Sequence, residues 1–187
     1  MPFAVSLFLD KEASAIVTDV WRRLADMEVS ESMIKANFRP HITLGICEDL
    51  RVEPFRRFLA GFAGTHMVFP IILSSLGVFP LDTKGAVFFG VTPSPQLLRV
   101  HDDFTRSFAE FGEGIRTYYR PGHWVPHCTL ADGIGCEVVP RAMEICQQTR
   151  LPVYCLAREI GVLQFPPGHE LLAYSLRSDV DGFLAGT

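Results

Sequence analysis

Pro40-His41-Ile42-Thr43-Leu44 and Pro126-His127-Cys128-Thr129-Leu130 are two copies of one short pattern. Each sets a histidine two residues before a threonine in apolar surroundings that read as a β-strand. Alternate side chains of a strand share a face. His41 and Thr43 therefore project together on one side, with Ile42 and Leu44 on the other. His127 and Thr129 repeat this against Cys128 and Leu130. A titratable imidazole beside a hydroxyl donor, presented twice, suits chemistry at a phosphate. One histidine takes a proton while the other gives one.

Other site types fit the residues poorly. His123 and His127 have the spacing of a helical zinc site, but Trp124 occupies the place of the needed glutamate. Pro126 would also break the helix. No Cys-x-x-Cys occurs either, and neither a metal site nor a cofactor is expected. Ser74 and Ser75 lack a nucleophile elbow, which speaks against a serine hydrolase. Cys128 sits between the histidine and the threonine of its motif, so its side chain points to the core rather than to the site. The five cysteines are irregularly spaced and read as buried free thiols of a cytoplasmic protein. His101 is in register with Leu97, Phe104 and Phe108, as a satisfied histidine at a helix–core edge. His66 and His169 read as surface residues.

The chain has 187 residues and a net charge of −4, with 48% hydrophobic and 20% charged residues. That mix is typical of a globular protein. A protein gripping long nucleic acid usually carries a basic stripe. Here the basic residues gather only locally, at Arg39, Arg116 and Arg120. A small or terminal phosphate-bearing partner fits better than a long duplex. No apolar run approaches the roughly 20 residues of a membrane span, and Met1 to Leu9 reads as a first strand rather than a signal peptide. A monomer is expected.

The elements that must position the motifs follow a repeated order. Phe3 to Leu9 is an apolar strand. Ala13, Ile16, Val17, Val20, Trp21, Leu24 and Met27 recur at helical spacing, with Asp10 as N-cap. A polar stretch from Glu28 to Arg39 leads to the first motif strand. A helix then runs from Val52 to near Gly64, and a strand from Met67 to Val78, bent at Pro70. The second half begins with a strand from Ala86 to Val91. A helix opened by Ser94-Pro95 follows, and a Gly/Tyr/Arg stretch leads to the second motif strand. Pro140 opens another helix, and Val153 to Phe165 and Leu171 to Leu176 are strands joined by a Pro166-Pro167-Gly168 turn. Each half thus reads strand, helix, motif strand, helix, strand. The expected organisation is a single domain over 1–187 with lobes of roughly 1–82 and 83–187, with or without exchanged strands.

The paired H-x-T-L motifs, the lobe order and the segments Gly77-Val78-Phe79-Pro80 and Trp124-Val125-Pro126-His127 resemble the 2H phosphoesterase superfamily. That superfamily includes 2'-5' RNA ligase-like proteins and cyclic phosphodiesterases, and the resemblance spans nearly the whole chain. It implies an α+β, bilobal, duplicated fold, with two mainly antiparallel sheets facing a central cleft and helices packed outside. It also implies metal-independent phosphoester chemistry at His41, Thr43, His127 and Thr129, on a 2',3'-cyclic phosphate or a 2'-5' linkage. Many RNA ligase-like members continue the first motif with a Phe-Leu-Gly-type segment. This chain has Gly45-Ile46-Cys47-Glu48, which leaves the subfamily open.

In such a site one imidazole would accept a proton from water and the other would donate to the leaving ribose oxygen. The threonine hydroxyls would donate to phosphate oxygens. The motif does not say which histidine is the base. Trp124, Tyr118 and Tyr119 lie on the approach to the second motif. Trp124 reads either as core or as a platform for a nucleobase. Arg116 and Arg120 read either as phosphate partners or as solvated surface charge. The expected partner is a small nucleotide or an RNA terminus carrying a cyclic or 2'-linked phosphate. The competing expectation is a catalytically silent nucleotide or RNA-end binding module of the same fold.

Overall fold

The computed structural model describes residues 1–165 and 168–178. The chain runs β1 (Phe3–Leu9), α1 (Lys11–Asp26), α2 (Ser32–Ala36), β2 (His41–Cys47), β3 (Asp49–Leu50), α3 (Val52–Thr65) and β4 (Phe69–Leu81). It continues β5 (Lys84–Val91), α4 (Pro95–Phe108), β6 (Gly112–Glu113), a 3₁₀ turn (Thr117–Tyr119), β7 (His127–Gly135), α5 (Val139–Cys146), β8 (Val153–Gln164) and β9 (His169–Ser175). The α+β class and the antiparallel pairing match the expectation. The expected turn at Pro166-Pro167 lies outside the described residues.

Local chemistry explains most element ends. The Asp10 carboxylate accepts from the Ala13 N–H at 2.9 Å and starts α1. Ser94 Oγ accepts from the Leu97 N–H at 3.2 Å and starts α4, with Pro95 in the first turn. Asp82, at φ 44°, turns the chain between the paired Leu81 and Lys84, closing the β4–β5 hairpin. Four short elements were not expected: α2 inside the polar stretch, β3 just after the first motif strand, and β6 and the 3₁₀ turn before the second. All are too short for periodicity to reveal.

The strand order is β2-β1-β8-β4-β5-β7, with β9 on β8, and every one of these pairings is antiparallel. Each half contributes its long strand to the other. β4 pairs with β5, and β8 pairs with β1. The two long strands also pair with each other between Phe69–Leu73 and Val153–Ala157, which joins the strand groups of the two lobes into one ladder. Helices cross over as well. The α4 rings of Phe104 and Phe108 pack on Gly45 of β2. The α1 residue Trp21 donates its indole N–H to the Thr129 carbonyl of β7 at 3.1 Å.

The core lies between sheet and helices and includes Phe55, Phe69, Phe89, Phe104 and Phe108, all essentially inaccessible. Each such burial contributes about 1.5–3 kcal/mol. Strand β1 is buried on both faces. Val5, Leu7 and Leu9 enter the main core, while Ala4 and Phe8 join a second cluster with Ile46, Tyr119 and Leu163. That second face also carries the motif side chains.

Candidate active site

β2 and β7 end the main strand path of the large sheet, and the sheet curls so that they meet. The Cys128 thiol approaches the backbone of His41, and His127 lies near enough for its charge to act on His41. Both strands carry the same irregularity. Ser6 faces Thr43 and Val5 faces Gly45, so Leu44 is the extra residue of a β-bulge. Phe88 faces Thr129 and Val87 faces Ala131, so Leu130 is its counterpart. A bulge re-aims neighbouring side chains and recurs beside functional sites. The alternation is as expected. Ile42, Leu44, Cys128 and Leu130 are buried, while His41 and His127 are only half-buried.

The two imidazoles are held alike. His41 Nδ1 lies 2.7 Å from the Arg39 carbonyl, and His127 Nδ1 lies 2.7 Å from the Val125 carbonyl. A carbonyl only accepts, so Nδ1 carries the proton and donates in both rings. Nε2 is then the nitrogen available for proton transfer. Aromatic rings, edge-on or tilted, wall each imidazole. Phe8 and Phe38 flank His41, and Phe79 and Phe88 flank His127.

The surroundings of the two rings differ in charge. Burial drives the His41 pKa down to about 4, and the nearby charges of His127 and Arg39 push the same way. The Arg39 carbonyl and the Glu170 carboxylate oppose them. Burial also lowers His127, against its bond to the Val125 carbonyl and the charge of Asp132. At neutral pH both free imidazoles are therefore biased to the neutral form.

Thr43 is buried, with its hydroxyl 3.3 Å from Ser6 Oγ and in contact with the Tyr119 hydroxyl. Its carbonyl accepts the Trp124 indole N–H at 3.0 Å. Thr129 is half-buried, with its carbonyl capped by Trp21. Trp124 stacks on His101 with centroids 3.9 Å apart and planes 8° apart. One face and the N–H of its indole are thus occupied within the protein. His101 is buried and donates from Nε2 to the Tyr119 carbonyl at 2.9 Å, as its helical register implied.

The expected cations are differently placed. Arg116 pairs with Glu48 at 3.2 Å and donates to the Tyr118 hydroxyl at 3.2 Å. Tyr118 is exposed, its ring against Tyr119. The Arg120 side chain is exposed, and its carbonyl accepts from the backbone N–H of His123 and Trp124. Arg39 stacks its guanidinium 4.0 Å over the Phe8 ring and pairs with Glu159 and Glu170. Among the described residues no cluster of three His, Cys, Asp or Glu side chains could hold a metal ion. No helix of the described residues is long and apolar enough to cross a membrane.

Several contributors escaped the sequence reading: Ser6, the Arg39 and Val125 carbonyls, Asp132 and Glu170. Only Ser6 left a visible signal, as the polar residue in an otherwise apolar strand.

The family model described as the 2'-5' RNA ligase superfamily matches residues 17–167. No curated protein matches the chain. Among solved structures, TT0787 of Thermus thermophilus aligns with a TM-score of 0.63 and 16% identity, over 96% of this chain and 100% of that one. E. coli LigT complexed with 3'-AMP gives 0.61 and 18%, over 94% and 99%. E. coli LigT complexed with NADP+ gives 0.55 and 16%, over 93% and 96%. At these identities the likeness shows the fold alone.

Proposed function

The chain belongs to the 2'-5' RNA ligase superfamily, and from that membership we propose that it is a phosphoesterase that opens 2',3'-cyclic phosphates or cleaves 2'-5' phosphodiesters of nucleotides or RNA ends. The observation that carries this reading is the matched pair of imidazoles, each fixed by the same 2.7 Å bond at Nδ1 and each offering Nε2. A pair of such rings suits in-line displacement at phosphorus, in which one proton leaves the nucleophile and another reaches the leaving group.

His41 acts as the base. Its burial and its cationic neighbours keep it neutral down to about pH 4. It takes a proton from water as the water oxygen bonds to phosphorus. His127, whose protonated form Asp132 favours, gives a proton to the ribose oxygen as the phosphorus–oxygen bond breaks. The product is a phosphomonoester, left on the 2' oxygen when the ring is opened. Thr43 and Thr129 donate to the non-bridging oxygens, where charge builds. The ligands of the LigT complexes, 3'-AMP and NADP+, are small nucleotides, in keeping with a small nucleotide or RNA end as partner.

The test is incubation of EDTA-treated protein with the four nucleoside 2',3'-cyclic phosphates, with products separated by chromatography. Wild type turns over without added metal. His41→Ala and His127→Ala each lose about 10²- to 10⁴-fold while remaining folded. A substrate with a good leaving group restores much of the rate to His127→Ala but not to His41→Ala. Near-wild-type rates in either variant would sink the reading. Saturable binding without product would make the chain a nucleotide-binding module instead.

A further inference from the structure

Ser6 is the polar residue of an otherwise apolar strand, and it is fully buried. A buried hydroxyl is costly without a partner, and its partner is the Thr43 hydroxyl at 3.3 Å, directly opposite across β1 and β2. Tyr119, also buried, brings its hydroxyl to the same Thr43 side chain. Tyr119 is itself anchored, because its carbonyl accepts from His101 and His101 stacks on Trp124. The Trp124 indole closes the ring of contacts on the Thr43 carbonyl.

A threonine hydroxyl has one proton and two lone pairs. Ser6 and Tyr119 can each donate into those lone pairs, which leaves the proton of Thr43 for a ligand in the cleft. The second motif lacks this arrangement, because the residue opposite Thr129 is Phe88, whose ring has no hydrogen to donate. We propose that Ser6 and Tyr119 are positioning residues that orient Thr43 as the pre-aimed donor to a bound phosphate oxygen, so that the two halves of the site are chemically unequal. The proposal rests on the phosphoesterase reading only in taking phosphate as the ligand group.

The test is a thermodynamic cycle read by titration of inorganic phosphate into the full-length chain. Ser6→Ala and Tyr119→Phe each remove one oxygen and keep the shape of the side chain, and circular dichroism checks their fold. Each is expected to weaken phosphate about 5-fold, the effect of one net hydrogen bond. In a Thr43→Val background neither should weaken it further, while in a Thr129→Val background both losses should persist in full. Equal losses in the Thr43→Val background, or no loss in the wild-type background, would overturn the proposal. Turnover of 2',3'-cyclic phosphates is measured alongside. Coupled phosphate losses without wild-type turnover defeat the phosphoesterase reading and leave the positioning roles standing. Turnover with uncoupled losses does the reverse, and absence of phosphate binding by wild type defeats both.

Discussion

His41 and His127 share a motif, a tautomer and a backbone bond, yet they differ in the charges around them. Arg39 and His127 act against a proton on His41, while Asp132 favours one on His127. As pH falls through about 4, His41 gains a proton and the base is lost. As pH rises through the pKa of His127, which is lowered from 6.5, the acid is lost. The kcat/KM profile should therefore be a bell with its acid limb near 4 and its maximum below 6.5. His127→Ala should erase the alkaline limb. An acid limb centred at or above 6.5 would contradict these roles. The cysteines give a second test. Burial pushes the thiols of Cys47, Cys128 and Cys155 up to about 12 and Cys146 to about 11, whereas Cys136 is exposed. Alkylation of the native protein followed by mass measurement should add one label, at Cys136, and four more only after unfolding.

Strands β2 and β7 end the main strand path of the large sheet and meet each other, which brings the two motifs together. An edge leaves backbone groups unpaired, and here two indoles from outside the sheet satisfy the motif threonines' carbonyls. Trp21→Phe and Trp124→Phe should each cost about 1–3 kcal/mol through the lost bond and ring volume. A thermal scan would register this as a drop of about 2–4 °C per kcal/mol. An unchanged melting temperature would mean the caps are dispensable. A second element-scale contact lies under His127. Phe88 covers Gly77 so closely that a Cβ there would stand 2.5 Å from the ring, and the same ring stacks on Phe79 and flanks His127. Gly77→Ala should push that aromatic wall into the site, lowering kcat/KM about tenfold alongside a loss of about 1–3 kcal/mol of stability. Wild-type kinetics with wild-type stability would show that the ring has room to move.

At the scale of the molecule, each half lends its long strand to the other. β4 is paired to β5, β8 to β1, and the two long strands to each other. Arg23 of α1 reaches the Ile145 carbonyl of α5 at 3.1 Å, and α4 lies on β2. A lobe that unfolded alone would strip strands and helices from the other. We therefore expect one cooperative transition, with calorimetric and van't Hoff enthalpies equal. Two resolved transitions would refute a single folding unit over the chain.

The sequence by itself determined what depends on neighbours along the chain. Asp10 and Ser94 cap helices through residues three positions away, and the alternation at His41-Ile42-Thr43-Leu44 sorts faces within one strand. The duplicated order followed from the same local patterns. Partnerships across the chain were decided only by tertiary structure. Arg39 read as a local cation, but folding sets it between Glu159 and Glu170. Arg116 read as a phosphate partner or a surface charge, and folding gives it Glu48. Ser6 faces Thr43 only once β1 and β2 pair with a bulge at Leu44. Pairing of edges, register and charge matching depend on which segments meet in space. Loop closure and packing choose those meetings, and local composition does not encode them.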